Sequence, residues 1–193
     1  MDKPTGQSPT PDCVVRNRAS LSLVKWMTQF DPHEFFQLGQ DLTSAPYTEA
    51  RCRTAISRAY YSCFISARDK LFGMDARGLT NERQKRVEKL HQQAFNLRRP
   101  ARLASHETVI FTVKTMPIVV QEVRSGWAKN LADQMSQLKA MRVQADYFRD
   151  SANEKTMSVF QTYQVTDWAG LAHHAMSMAS SIIADVRRLP SFP

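Results

Sequence analysis

Apolar residues recur along this chain at helical rather than alternating spacing. The clearest run is Cys52, Ala55, Ile56, Ala59, Tyr60, Cys63, Phe64, Ala67 and Leu71. Steps of three and four residues put all of these on one side of a helix, which predicts a helix over about 47–72. Gly73 follows as its stop. Trp127, Leu131, Met135, Leu138, Met141, Ala145 and Phe148 repeat the pattern and predict a helix over about 127–148. Trp168, Leu171, Ala172, Ala175, Ala179, Ile182, Val186 and Leu189 predict a third long helix, within 165–189. It opens at an Asp167 cap signal and stops at Pro190.

Weaker stripes fill the remainder. Leu21, Val24, Trp26, Met27 and Phe30 suit a short helix over 20–30. Asp31 and Pro32 then read as cap and first turn of another, with Phe35, Phe36, Leu38 and Leu42 as its apolar side. Val87, Leu90, Ala94 and Leu97 predict a helix that opens near Thr80 and ends before Pro100, with His91 on its solvated side. Ser105 can cap a short helix over 106–115. The β-branched run 109–113 could instead be a strand, but no partner strand is visible and helix is preferred. Pro117 is expected to open the next segment, and Gly126 to divide it from the helix that follows. The expected fold is all-α, a bundle of about five main helices.

Composition sharpens this in places. Six glycines in 193 residues, and no Asn-Gly or Asp-Gly pair, also favour helices. Residues 1–12 carry Pro4, Pro9 and Pro11 among polar side chains and read as a disordered tail, which leaves 13–193 as one helical domain. The net charge of +8 suits a polyanionic partner, although a solvated basic surface is equally common. Arg83, Lys85, Arg86, Lys89, Arg98, Arg99 and Arg102 crowd one region. Cys13, Cys52 and Cys63 show neither disulfide nor zinc spacing, and a reducing, cytoplasmic setting fits them. No apolar run reaches membrane-spanning length, so no membrane partner is expected. There is no HExxH, Walker A, GxGxxG or GxSxG motif, and no cofactor or metal is implied.

Three short stretches carry candidate chemistry. Arg142 and Asp146 lie four residues apart on the 127–148 helix and can pair, with Tyr147 beside them. Read from the residues alone, that is a surface ion pair and a core tyrosine. Arg58, Tyr60 and Tyr61 sit in the longest stripe. Tyr60 belongs to its apolar centre, while Tyr61 lies off-centre and could stack on a base or meet a second subunit. His106 opens a helix, where the dipole disfavours its cationic form, and is a capping or core residue or lines a groove beside Arg142.

In order and spacing, these stretches resemble the HEPN superfamily (higher eukaryote and prokaryote nucleotide-binding domains). The likeness is to the small prokaryotic branch with an S-R-A-Y-Y-x-x-F helix, here Ser57 to Phe64, and an R-x-x-A-D-Y helix, here Arg142 to Tyr147. The Ser105–His106 pair matches the start of that branch's middle helix. The resemblance covers roughly 35–189. It implies a homodimer whose late helices form a shared groove that binds RNA or a nucleotide. It also implies a bacterial toxin–antitoxin or phage-defence setting, often with a small nucleotidyltransferase as antitoxin. Active HEPN ribonucleases are metal-independent endoribonucleases in which an arginine holds the scissile phosphate and a histidine a few residues later serves acid–base catalysis. Arg142 matches the arginine, but Tyr147 stands where the histidine would fall, and a neutral tyrosine is a poor base near pH 7. The implied binding residues are Arg142, Asp146, Tyr147, Arg58, Tyr61, Arg99 and Arg102, and the catalytic candidates are Arg142, Tyr147 and His106. A non-catalytic dimerisation partner is the remaining alternative.

Overall fold

A computed structural model describes residues 31–44, 46–73, 81–147 and 167–192, with Asn81 and Tyr147 as backbone only. It has α1 (Pro32–Leu42), α2 (Glu49–Phe72), α3 (Asn81–Ala94), α4 (His106–Val119), α5 (Ser125–Tyr147) and α6 (Trp168–Arg187). Among the described residues there is no strand, so the run 109–113 is helical as preferred. The expected tail 1–12, the helix over 20–30 and Phe148 lie outside the described residues.

Four of these helices begin on a side-chain cap. Asp31 accepts from the His33 amide at 2.8 Å, Thr48 from Arg51 at 3.3 Å, Ser105 from Thr108 at 3.1 Å and Asp167 from Gly170 at 2.8 Å. Each satisfies an amide that the first turn leaves unpaired. Gly73 closes α2 at φ 62°, in the left-handed region where a Cβ is costly.

The apolar stripe of α2 makes it the centre of the bundle. It packs against α6, α1, α5 and, over a shorter stretch, α4, and α4 in turn lies along α5. Ala55, Ile56, Ala59, Tyr60, Leu71, Leu131, Met135, Leu138, Met141, Ala175 and Ile182 are buried there. Small residues such as Ala55, Ala59, Ala175 and Ala179 let the helix axes approach.

Three expectations are corrected. Pro117 does not open a new segment but lies inside the last turn of α4. Pro117 forgoes its own N–H bond to the carbonyl four residues back and crowds that carbonyl, but the bonds of the turns before it are untouched. Gly126 does not divide two segments, since it falls in the first turn of α5. In α3 the buried face runs through His91, which is fully buried, whereas Leu90 is 40 % exposed. His91 is therefore not solvated. Phe72, Phe95, Phe111 and Phe192 surround its ring, with centroids 4.8–6.3 Å away. That aromatic box ties α3 and the C-terminal segment to the bundle, aided by the Phe192 amide donating to the Leu71 carbonyl at 2.8 Å.

Candidate functional site

Beside its buried stripe, α2 presents Ala50, Arg53, Thr54, Ser57, Arg58 and Tyr61 along one edge. Their spacing repeats every three or four residues, so they line up over three turns. Arg142, Ala145 and Asp146 of α5 face them, and the two helices enclose an open cavity of about 500 Å³. Among the described residues, three arginines and one carboxylate line it.

Arg142 is held from three sides. Its Nε lies 2.6 Å from Asp146 Oδ2, an i to i+4 pair on α5. One Nη donates to the Tyr61 hydroxyl at 2.9 Å. Its Cζ stands 5.3 Å from the Tyr61 ring centroid. The Arg142 and Asp146 side chains are only 17 % and 26 % exposed, so this is not the solvated pair that the residues alone suggest. Asp146 also accepts from Ser57 Oγ at 2.6 Å, which ties α5 to α2.

The other two arginines also rest on rings. Arg58 Cζ stands 5.0 Å over Phe35 of α1, and Arg53 Cζ stands 4.4 Å over Trp168 of α6. Arg53 also pairs with Glu49 at 2.9 Å. Stacking occupies the faces of a guanidinium, whose N–H donors all lie in its plane. Helices α1, α2, α5 and α6 thus all position cations at one cavity.

His106 does not line that cavity but meets its Tyr61. Its ring stacks on Phe64 at 4.1 Å and on Tyr60 at 5.3 Å, and meets Tyr61 edge-on at 6.1 Å. Its Nδ1 is hydrogen-bonded to the Tyr60 hydroxyl. Burial, then the Lys139 and Arg142 cations, hold its pKa below the usual histidine value, against an opposing pull from Glu107. The imidazole is therefore neutral at pH 7, with Nδ1 engaged. Burial raises the Tyr60 phenol, which stays protonated. Ser57, Asp146, Arg142, Tyr61, His106 and Tyr60 form one chain of contacts across α2, α4 and α5.

Of the residues expected at a site, Arg58, Tyr61, Arg142 and Asp146 come together, with His106 one ring away. Arg99 and Arg102 do not line this cavity, and are exposed on the connection from α3 to α4. The side chain of Tyr147 lies outside the described residues. Sequence reasoning missed Arg53, Ser57, Phe35 and Trp168. Arg53 and Ser57 share the helical edge of Arg58 and Tyr61, so their spacing held a signal. Phe35 and Trp168 read as core residues, and nothing local marks a ring as the seat of an arginine. Among the described residues no group of three or more His, Cys, Asp or Glu side chains is placed to hold a metal, and no helix is long and apolar enough to cross a membrane. No family model, curated protein or solved structure matches the chain.

Proposed function

We propose that this chain is a HEPN-like protein that binds RNA or a nucleotide through phosphate groups in the α2–α5 cavity. One observation carries the reading: Arg53, Arg58 and Arg142, each seated on an aromatic ring, line one cavity together with Asp146, the one carboxylate among its described lining residues. Guanidinium edges match phosphate oxygens in pairs, and they keep their charge at any ordinary pH. Seating them on rings removes much of the side-chain freedom that binding would otherwise cost.

The test is Arg142→Ala, with affinity for a short single-stranded RNA and thermal unfolding measured on the same variant. Binding should weaken by about 1.5–3 kcal/mol, the range for a charge-assisted hydrogen bond. Unchanged affinity would leave the reading without its central residue.

A second reading, metal-independent endoribonuclease, has its own support in the neutral His106 beside Tyr61 and Arg142. With Nδ1–H donating to the Tyr60 hydroxyl, a neutral imidazole keeps the Nε2 lone pair that a general base needs. RNA cleavage in EDTA that is lost in His106→Ala would select this reading. Binding without cleavage would select the first. The homodimer remains part of the proposal. Ile118, near the end of α4, is 71 % exposed, a motive for association. The toxin–antitoxin or phage-defence setting and the nucleotidyltransferase partner rest on the sequence resemblance.

A further inference from the structure

The aromatic rings around the cavity are already in use. Among the described residues Tyr61 is its one aromatic lining residue. Arg142 lies over it, and Phe35, Tyr60 and His106 surround it, with centroids 6.4, 5.6 and 6.1 Å away. Phe35 and Trp168 carry Arg58 and Arg53. A protein that reads a base offers it an open π-face or a set of edge donors and acceptors. Here the rings serve as seats for cations. Apart from Tyr61 and the charged groups, the described wall consists of Ala50, Thr54, Ser57 and Ala145. Those side chains are short, and Ser57 already donates to Asp146.

Charge is therefore what this wall can recognise. Three guanidiniums from two helices meet over one cavity of about 500 Å³; among the described residues Asp146 is the carboxylate on its wall, and Glu49 pairs with Arg53 from outside that wall. A single phosphate does not need three such groups. Phosphoryl groups joined by anhydride bonds pack several charges into so small a volume. The sugar–phosphate backbone spreads its charges along a strand, roughly 3.4 Å of axis apart even in a stacked duplex.

We propose that the cavity takes a compact oligophosphate, two or three anhydride-linked phosphoryl groups, and is indifferent to any base attached to them. This rests on the phosphate-binding reading above and names the ligand class of the same site. The shared chemistry is the oligophosphate, whether free or the tail of a nucleotide.

Calorimetric titration of the full chain, in magnesium-free buffer, would use inorganic phosphate, pyrophosphate, tripolyphosphate, adenosine, AMP, ATP and a short RNA lacking a terminal triphosphate. Affinity should rise by about tenfold or more from phosphate to tripolyphosphate, since each added charge meets a further guanidinium at close range. ATP should match tripolyphosphate within about threefold, and adenosine should not bind. ATP binding much more tightly would mean that the base is read. Thr54 is exposed on the cavity wall. Thr54→Glu keeps a helix-compatible residue and should abolish tripolyphosphate binding. Lys114→Glu makes a larger charge change on exposed α4 surface and should leave most of it. Equal losses in the two variants would mean diffuse attraction to a basic protein and would overturn the site. Equal affinity for phosphate and tripolyphosphate, or AMP tighter than pyrophosphate, would overturn the oligophosphate class. RNA bound without tripolyphosphate would do the same while leaving the broader reading intact. No binding of any anion would remove both.

Discussion

Asp146 is the residue on which the cavity's behaviour turns. It neutralises Arg142 from one side and holds Ser57 from the other, at 2.6 Å each. An incoming phosphate competes with this carboxylate for the same guanidinium. Asp146→Asn keeps two acceptor lone pairs for Ser57 but removes the charge. The account predicts tighter phosphate binding, together with a loss of about 1 kcal/mol in stability from the weakened, largely sheltered ion pair. Titration and chemical denaturation of the same variant check both. Weaker binding would show that Asp146 helps to hold the ligand instead of competing with it.

His91 yields a different residue-scale prediction. Thr112 Oγ1 donates to the Thr108 carbonyl at 2.7 Å, so its hydrogen is spent. His91 Nε2, 2.7 Å away, must then donate to it. That leaves Nδ1 as a bare acceptor, buried without a partner among the described residues. Burial lowers its pKa, so the folded state resists a proton that the unfolded chain accepts near pH 6.5. Stability should therefore fall as pH drops below about 6.5, by at most about 1.4 kcal/mol per pH unit for each such group. The loss should stop once pH passes below the folded pKa. His106 is shifted the same way and adds to the slope. Unfolding free energies between pH 7 and pH 5 should show a shallower slope in His91→Gln. An unchanged slope would mean that His91 does not titrate on unfolding.

At the scale of elements, the central helices were legible because their stripes are long. The α2 stripe runs for five turns and ends at a glycine with φ 62°, and the cap residues Asp31, Ser105 and Asp167 mark their helix starts directly. The failures were local and physical. Pro117 reads as a break, yet one lost bond in a final turn does not end a helix. His91 reads as polar and Leu90 as apolar, but the rings at Phe72, Phe95, Phe111 and Phe192 come from four different segments. No window of α3 alone shows that box. The same holds for the site: Arg142 with Asp146 is a local pattern, whereas Arg58 on Phe35 and Arg53 on Trp168 are tertiary events. A test of packing belongs here. A Cβ at Gly39 would lie 2.8 Å from Met176 Sδ, where α1 and α6 meet over α2. The thioether can move, so Gly39→Ala should cost about 1–2 kcal/mol, the low end of overpacking, offset in part by better helix propensity. A gain in thermal stability would mean that α1 and α6 are looser there than described.

At the scale of the molecule, two basic regions compete for any polyanion. One is the cavity, where three arginines are seated on rings. The other is the exposed connection bearing Arg98, Arg99 and Arg102. The net charge of +8 draws RNA to both. Salt dependence separates them in part: contacts from the three cavity arginines alone give a slope of log affinity against log salt of about −2, and recruitment of the connection steepens it. The most direct measurement is arginine side-chain NMR during titration with RNA or tripolyphosphate. The account predicts saturable shifts of the Arg58 and Arg142 Nε–Hε signals, with Arg98, Arg99 and Arg102 little changed. Shifts confined to Arg98, Arg99 and Arg102, with Arg58 and Arg142 silent, would contradict it.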